Sequence, residues 1–181
     1  LLEAFDSISD SRLAAVGGYQ EGHPDDPPFG KLLDRYLRLV GLVADYVKPY
    51  AEPVRVSHNA SCNSVYRRQD FLDAGGFRLN LFPAEDVDLD RRVHLLGKSI
   101  WFTPHARVWH HRPTSFRAWI KMLKSYGRSQ ADCLAIHGFF RLIHLMPFAW
   151  LVGIALLVLF PLPMLAAVAV AAVFALAYAW K

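Results

Sequence analysis

The chain has 181 residues, of which 54% are hydrophobic and 20% are charged, enough for one domain with a buried core. The charge is unevenly placed, because residues 142–181 contain no Asp, Glu or Arg and a single Lys. A polar domain therefore precedes a hydrophobic tail. The two cysteines, Cys62 and Cys133, exclude a disulfide framework and predict reduced side chains in a domain that faces the cytosol.

Helices and strands are predicted to alternate from the start of the chain, as in an α/β domain. Residues 1–7 form the end of a helix, and the apolar run 12–18 is a buried strand that its two glycines stop. After a proline-rich loop, apolar residues at helical spacing predict a helix over 29–47. A short strand is expected over 54–57.

Two glycine-terminated helices are predicted next. A short helix over 69–74 ends at Gly75-Gly76, where the backbone turn is expected to need positive φ angles. A longer helix covers 85–96, and Gly97 ends it. Two strands follow, 99–102 and 106–109, separated by a turn at Thr103-Pro104.

Residues 114–135 are predicted to form an amphipathic helix within a juxtamembrane segment, 114–141. Its apolar face carries Phe116, Trp119, Ile120 and Leu123, and a second stripe carries Arg117, Lys121, Lys124 and Arg128. Such a helix suits a membrane interface, with anionic lipid headgroups rather than nucleic acid as the partner of its cations. An ordinary surface helix packed on the domain is the alternative.

The tail, residues 142–181, is predicted to be transmembrane. The apolar run 142–160 approaches the ~20 residues that span a bilayer core, and a second run covers 164–180 after Pro161-Leu162-Pro163. A transmembrane hairpin is the preferred prediction, and one kinked helix is the alternative. The basic stripe before the tail places the domain on the cytoplasmic side of the cell (inner) membrane.

The residues best suited to chemistry are the acidic pair Glu85-Asp86 at the start of a predicted helix. The free N–H groups and the dipole of a helix start keep carboxylates ionised, and an ionised carboxylate can act as a general base toward a hydroxyl group. Taken alone, however, Asp86 would be interpreted as a helix cap.

The order and spacing of the residues around this pair resemble the C-terminal half of the catalytic domain of family-2 glycosyltransferases, enzymes of the GT-A fold. The resemblance is carried, in this order, by Gly75-Gly76-Phe77, Glu85-Asp86-Val87-Asp88-Leu89, Arg92, Gly97, Pro104 and His110. It implies a fold class: a partial GT-A (Rossmann-like nucleotide-diphospho-sugar transferase) domain over 1–113, followed by the interfacial helix and the transmembrane hairpin.

The resemblance also implies roles. Asp86 matches the base that deprotonates the acceptor hydroxyl for in-line attack on the anomeric carbon with inversion, and Glu85 lies beside it to bind the acceptor. His110, or its neighbour His111, matches a histidine that completes the coordination of the Mn²⁺ or Mg²⁺ ion holding the nucleotide diphosphate. A neutral imidazole suits Mn²⁺ better than Mg²⁺. The implied partners are a nucleotide-sugar donor, a glycan or lipid-linked acceptor, and membrane lipids.

Three further residues, Asn63, Arg67 and Arg92, are assigned to substrate binding. Asn63 is expected to hydrogen-bond a sugar, whereas Arg67 either lines the cleft or is a solvated charge at a strand end. The spacing of Arg92 from Asp88 also permits an ion pair on the helix surface. The side chains of Trp101 and Trp109 are expected in the core rather than stacked on a sugar.

Two features of the family are missing. The nucleotide-binding half with its Asp-x-Asp motif would precede Leu1, so we expect the chain to be part of a longer protein and inactive by itself. The helix predicted over 114–135 has no Gln-x-x-Arg-Trp motif, which favours a single sugar addition over processive synthesis.

The sequence thus predicts an inverting, metal-dependent glycosyltransferase that acts on a lipid-linked or membrane-proximal acceptor. The alternative is a non-catalytic membrane scaffold or partner subunit that keeps a degenerate transferase domain. A small transporter or channel component is disfavoured, because the tail lacks the ionisable residues expected of a transport pathway, apart from His144 near one end.

Overall fold

A computed structural model describes residues 1–40, 50–159 and 166–172 of the chain. The chain divides into two compact units, Leu1–Ile136 and His137–Lys181. The helices and strands up to this boundary are, in chain order, α1 (Leu2–Ser7), β1 (Leu13–Gly22), α2 (Pro28–Val40), β2 (Val54–Val56), β3 (Ser64–Tyr66), α3 (Arg68–Asp73), α4 (Glu85–Leu95), β4 (Ser99–His110) and α5 (Phe116–His137).

The first unit is built on a four-stranded mixed sheet with the order β2-β4-β1-β3. The two central strands, β1 and β4, are parallel, and the edge strands β2 and β3 are antiparallel to their neighbours. The unit is therefore a mixed α/β domain. Because β1 and β4 run parallel, their carboxyl ends, Gly22 and His110, lie side by side at one edge of the sheet.

The core lies between this sheet and α4. Leu89 and Val93, one turn apart on α4, are fully buried against the small residues Ala14 and Ala15 of β1 and against Ile100 of β4. The small side chains of β1 let the helix approach the sheet closely, and the i, i+4 spacing places both large residues on one face.

The strand β1 does not stop at Gly17 and Gly18, as the sequence predicted, but continues to Gly22. A Cβ atom on Gly17 would lie 2.2 Å from Cγ of Asn59, and one on Gly18 would lie 2.2 Å from the carbonyl oxygen of Ala106. These glycines are therefore needed for close approach of neighbouring groups within a continuous strand, and they do not end it.

The two strands predicted over 99–102 and 106–109 form one strand, β4, with an irregularity between them. Gly18 pairs with Thr103 but Tyr19 pairs with Arg107, so that residues 104–106 bulge out of the ladder. Pro104 fits this place because a proline has no N–H to donate to a ladder hydrogen bond.

The helix ends in the middle of the chain agree with the glycine pattern. Gly75, Gly76 and Gly97 have φ angles of 83°, 64° and 74°, which confirms the predicted left-handed turns after α3 and α4. The helix predicted over 29–47 is α2, and residues 41–47 of that prediction lie outside the described part of the chain.

The second unit corrects the predicted fold class, because its described residues form no transmembrane hairpin. The run 142–160 begins with a 3₁₀ turn, Leu142–Leu145, and only then continues as helix α6, Met146–Leu159, with Pro147 in its first turn. At 1.5 Å per residue this 14-residue helix is about 21 Å long, short of the ~30 Å hydrocarbon core.

Among the residues that the structure describes, none of the helices combines the length and the apolar character needed to cross a bilayer. The second predicted span, 164–180, lies largely outside them, since only 166–172 is described there, as helix. The run 142–160 is apolar, as predicted, but its hydropathy did not reveal the 3₁₀ turn that leaves only 14 residues for the helix.

Candidate active site

The carboxylate of Asp86 is fixed at the first turn of α4. One of its oxygens accepts a hydrogen bond from the backbone N–H of Val87 at 2.8 Å, and the other accepts one from the N–H of Ser61 at 3.2 Å. The side chain is half-buried. Hydrogen bonds from two backbone N–H groups hold the carboxylate in one orientation.

The neighbouring Glu85 is also half-buried, and its Oε2 atom is enclosed without a hydrogen-bond partner among the described residues. Because Oε2 is closed to solvent, an acceptor hydroxyl would have to approach the rest of the half-buried carboxylate. Both predicted carboxylates therefore lie together at the start of α4, as the sequence required.

Helix α5 packs against the turn that precedes these carboxylates. The hydroxyl of Ser129 donates to the carbonyl of Phe82 at 3.1 Å, and the thiol of Cys133 donates to the carbonyl of Ala84 at 3.7 Å. Tyr126, one turn before Ser129, lies on the same face of α5. Burial, together with the charges of Asp86 and Glu85, raises the pKa of the Tyr126 hydroxyl, so its proton stays in place beside the carboxylates.

A second neighbour of Asp86 is Cys62, which follows Ser61. Its Sγ atom accepts a hydrogen bond from Nε2 of Gln20 at 2.8 Å. Desolvation, followed by the charge of Asp86, raises the pKa of the Cys62 thiol. The thiol is therefore protonated, and it borders the site as an uncharged group.

The position of Gln20 on β1 also shows where the predicted metal ligand His110 lies relative to this site. It lies on β1 opposite Val108 of β4, and Gly22 lies opposite His110. Since residues two apart on a strand share one face, His110 is on the face that carries Gln20 and Cys62. The structure thus brings Glu85, Asp86 and His110 to the same end of the sheet.

The imidazole of His110 is suited to metal binding as a single ligand. Burial and the nearby Arg112 guanidinium lower its pKa, which favours the neutral form that coordinates metals. The alternative ligand, His111, is already engaged: its Nδ1 lies 2.7 Å from a carboxylate oxygen of Asp26, and its ring stacks on His23 with centroids 4.1 Å apart.

Within the described ranges, no group of three or more His, Cys, Asp and Glu side chains is placed to hold a metal ion. The donor set therefore fits one ligand of a metal site, and the remaining ligands are not supplied by the residues that the structure describes.

The predicted substrate-binding residue Arg92 has its donors directed at the protein. Its Nε and Nη2 atoms donate to one oxygen of Asp88 at 3.0 and 2.6 Å, Nη2 also donates to the Gly76 carbonyl at 2.6 Å, and Nη1 donates to the Ala74 carbonyl. Asp88 is fully buried and also pairs with Arg78. Arg92 thus joins the glycine turn to α4, as its i, i+4 spacing from Asp88 allowed.

Arg67 lies at the other end of the sheet. Its backbone N–H donates to the Ala14 carbonyl, and its exposed guanidinium stacks over the Phe5 ring at 5.3 Å. Ala14 and Gln20 are six residues apart on β1, a separation of about 20 Å at 3.3 Å per residue. Arg67 and Asp86 are therefore not brought together.

Asn63 is buried in the bulge between the central strands. Its Nδ2 group donates to the carbonyls of Tyr19 and Ala106, both at 3.2 Å, so both of its N–H groups are hydrogen-bonded to the backbone. The predicted hydrogen bond from this amide to a sugar would have to use the oxygen instead.

The two tryptophans also depart from the prediction that both lie in the core. Trp109 is 65% exposed at the end of β4, and its ring lies in a T-shaped contact with that of His23, with centroids 5.7 Å apart. Trp101 is half-buried, and its indole N–H donates to a carboxylate oxygen of Asp10 at 3.0 Å.

Three residues in the surroundings of Asp86 were not predicted from the sequence: Cys62, its hydrogen-bond partner Gln20, and Tyr126. They come from the 3₁₀ turn before β3, from β1 and from α5, and they belong to residue types that carry no motif. Only the packing of these elements against the start of α4 identifies them.

No protein-family model matches the chain. Two curated proteins, each named pre-mycofactocin glycosyltransferase, from Mycobacterium tuberculosis strains CDC 1551 / Oshkosh and ATCC 25618 / H37Rv, are 35% identical to it over 82 residues. The match covers 45% of this chain and 17% of each relative, so it spans about a sixth of their length. Over part of its length, the chain is therefore similar to a glycosyltransferase.

Proposed function

We propose that the chain is part of an inverting family-2 glycosyltransferase in which Asp86 removes the proton of the acceptor hydroxyl. The observation that carries this proposal is the place of Asp86, whose oxygens are held by the N–H groups of Ser61 and Val87. The orientation leaves a half-exposed carboxylate at the sheet end that also carries His110. Partial similarity to glycosyltransferases supports the reaction class.

In the proposed reaction, Asp86 takes the proton as the acceptor oxygen attacks the anomeric carbon of a nucleotide-diphospho-sugar. The bond from that carbon to the diphosphate oxygen breaks, and the diphosphate leaves with the electron pair from the opposite face. The configuration is therefore inverted. Glu85 accepts a hydrogen bond from the acceptor and orients the hydroxyl toward Asp86.

A Mn²⁺ or Mg²⁺ ion is the proposed cofactor, with His110 as one of its ligands and carboxylates from outside the described residues as the others. The ion would neutralise charge on the departing diphosphate. Desolvation and the nearby Arg112 guanidinium lower the pKa of the His110 imidazole. The neutral form that a metal ligand needs is thereby favoured, which supports this part of the proposal.

The proposed acceptor is lipid-linked or membrane-proximal, on the cytoplasmic side of the inner membrane. Helix α5 supports this part of the proposal, because it reaches the surroundings of Asp86 through Tyr126 and exposes a basic stripe on its other side. The stripe consists of Arg117, Lys121, Lys124 and Arg128.

The test is sugar transfer by the full-length protein that contains this chain, comparing wild type with Asp86→Asn. Loss of a general base is expected to lower kcat by about 10²–10⁴-fold while the protein remains folded, as thermal unfolding would show. The matched control is Asp73→Asn, an exposed carboxylate on α3, which should keep wild-type kcat.

An Asp86→Asn variant with wild-type kcat would remove Asp86 from the proposed role. A wild-type protein that transfers no sugar from any nucleotide-sugar donor, although it is folded, would assign the chain to the scaffold alternative.

A further inference from the structure

Helices α2 and α5 meet at one aromatic cluster. The ring of Trp119 on α5 lies 6.3 Å from that of Tyr36 and 6.4 Å from that of Phe29, both on α2, in edge-on or tilted contacts. The sequence placed Trp119 on the membrane-facing side of α5. In the structure it is half-buried and joins the two helices.

On either side of this junction, both helices expose apolar side chains. Leu32, Tyr36 and Leu39 recur at i, i+4, i+7 on α2 and are 55%, 47% and 41% exposed. On α5, Phe116 and Leu123 are 62% and 43% exposed at i, i+7, and Phe116 touches the edge of Trp119 at 5.8 Å. These residues form one apolar strip, which we call the α2–α5 face.

Cations border the α2–α5 face on both helices. Lys31 and Arg35 lie on the exposed side of α2, and Arg117, Lys121 and Lys124 lie on the exposed side of α5. None of these five forms an ion pair with a residue in the described ranges. The three on α5 surround a shallow depression of about 290 Å³ floored by Ile120.

The arrangement of the α5 cations follows from the helix itself. Arg117, Lys121 and Lys124 recur at i, i+4, i+7, opposite the face that buries Ser129 and Cys133 against the domain. Because the domain occupies the opposite side, all three ammonium and guanidinium groups point away from it and reach the same external surface.

We propose that the α2–α5 face binds the surface of a bilayer that contains anionic phospholipid. An apolar strip with aromatic residues enters the boundary between headgroups and acyl chains, and the cations at its borders meet the lipid phosphates. A second copy of the chain is a poorer occupant, because a two-fold interface would set these unpaired cations against themselves. The face acts independently of catalysis, so it does not require the proposed transfer reaction.

The test is competition of two vesicle populations for the whole chain. One population contains phosphatidylcholine alone, and the other contains phosphatidylcholine mixed with phosphatidylglycerol. Because the hydrophobic tail is common to all variants, the ratio of bound protein between the populations isolates the charge-dependent contribution. Wild type is expected to favour the anionic vesicles.

The variant Arg117→Gln/Lys121→Gln/Lys124→Gln should lose this preference. Each cation near an anionic surface contributes about fivefold to partitioning, so three should change the ratio by roughly 100-fold. The matched control, Arg12→Gln/Arg55→Gln/Arg68→Gln, removes the same charge from exposed positions around the opposite end of β1 and should retain the preference.

A wild-type chain that is distributed equally between the vesicles would overturn the proposal. An equal loss in the control would do so too, because only net charge would then matter. Dimerisation in the absence of vesicles that is lost in Phe116→Ala/Leu123→Ala, with an unchanged vesicle ratio, would assign the face to a second copy instead. Sugar transfer by the same variants, measured with a soluble acceptor, reports separately on the proposed function.

Discussion

Asp90 shows how single buried carboxylates join parts of the first unit. It is fully buried on α4 and accepts hydrogen bonds from the Tyr66 hydroxyl at 2.5 Å and from the Asn59 N–H at 2.9 Å. Its second oxygen also lies 2.9 Å from Nδ1 of His58. Burial and the charge of Asp90 raise the pKa of Tyr66, so the hydroxyl remains a donor. The carboxylate thus connects α4 to β3 and to the loop that leads to Ser61.

Replacement of Asp90 by Asn should destabilise the protein by about 2–4 kcal/mol. The new amide N–H₂ group would face one of the buried donors that now bind the Asp90 carboxylate, and that donor would be left without an acceptor. The free energy of unfolding in urea measures this effect. Asp73→Asn, at an exposed position on α3, should change it by less than about 0.5 kcal/mol. Equal stabilities of the two variants would contradict the importance of the Asp90 contacts.

The stability of the protein should depend on pH through Asp10, at the other end of the sheet. Hydrogen bonds from the Arg12 N–H, the Ser99 hydroxyl and the Trp101 indole lower the pKa of Asp10 from 3.8 to about 2. A lowered folded-state pKa contributes stability above the unfolded pKa, and this contribution is lost as the pH falls from about 4 to about 2. The urea midpoint should therefore fall through this window in wild type.

In Asp10→Asn the part of the pH dependence that belongs to this group should disappear, and in Ser99→Ala it should shrink because one donor is removed. Urea midpoints measured at intervals between pH 2 and pH 5 test both variants. A wild-type slope in Asp10→Asn would show that other carboxyl groups dominate the acid transition.

At the level of the element, the central strands depend on close backbone approach. β1 needs glycine at positions 17 and 18, because Asn59 and Asn63 occupy the space that Cβ atoms would need. Asn63 in turn fills the bulge of β4 by donating to Tyr19 and Ala106. Strand, bulge and asparagine therefore form one unit that keeps the carboxyl ends of β1 and β4 together.

Replacement of Gly18 by Ala should lower stability by about 1–3 kcal/mol, because the added methyl group meets a backbone carbonyl, which cannot rotate away. The opposite result is expected for Gly127→Ala on the exposed side of α5, where no atom lies within 4 Å of the added Cβ. There, the higher helix propensity of Ala should add about 0.5–1 kcal/mol. Thermal unfolding of both variants measures the two signs, and a neutral Gly18→Ala would refute the close-packing argument.

At the level of the whole molecule, the candidate site exists only because separate elements converge. Gln20 comes from β1, Cys62 from the turn before β3, Asp86 from α4, His110 from β4 and Tyr126 from α5. Since α5 also carries the basic stripe, the same helix connects the surroundings of Asp86 with the α2–α5 face. An acceptor held at a lipid surface would therefore be close to the base.

If this assembly binds the acceptor, Tyr126→Phe should raise KM for the acceptor by about fivefold to 20-fold, because one hydrogen bond to the substrate is lost, and should leave kcat nearly unchanged. Steady-state kinetics with varied acceptor tests this in the full-length protein. Tyr36→Phe, on the outer side of α2, is the matched control when the acceptor is soluble, because the α2–α5 face then takes no part in acceptor binding. Loss of kcat without a change in KM would instead indicate that Tyr126 acts on the base.

The sequence by itself determined the local features. The acidic start of α4, its end at Gly97 and the turn at Gly75-Gly76 were predictable, because each depends on residues adjacent along the chain. The places of Glu85 and Asp86 follow from the same local pattern. Their catalytic role, like the metal role of His110, remains a prediction.

Only the tertiary structure decided which polar residues are already engaged. Asn63 reaches Ala106 across 43 residues, and Arg92 reaches carbonyls 16 and 18 residues away, so no local pattern could report that their donors are used. It also decided that the apolar tail begins with a turn and a 14-residue helix, where hydropathy had indicated a span. The physical reason is the same in each case: periodicity and composition report which groups avoid water, whereas hydrogen-bond partners and helix ends depend on groups that the fold brings from elsewhere.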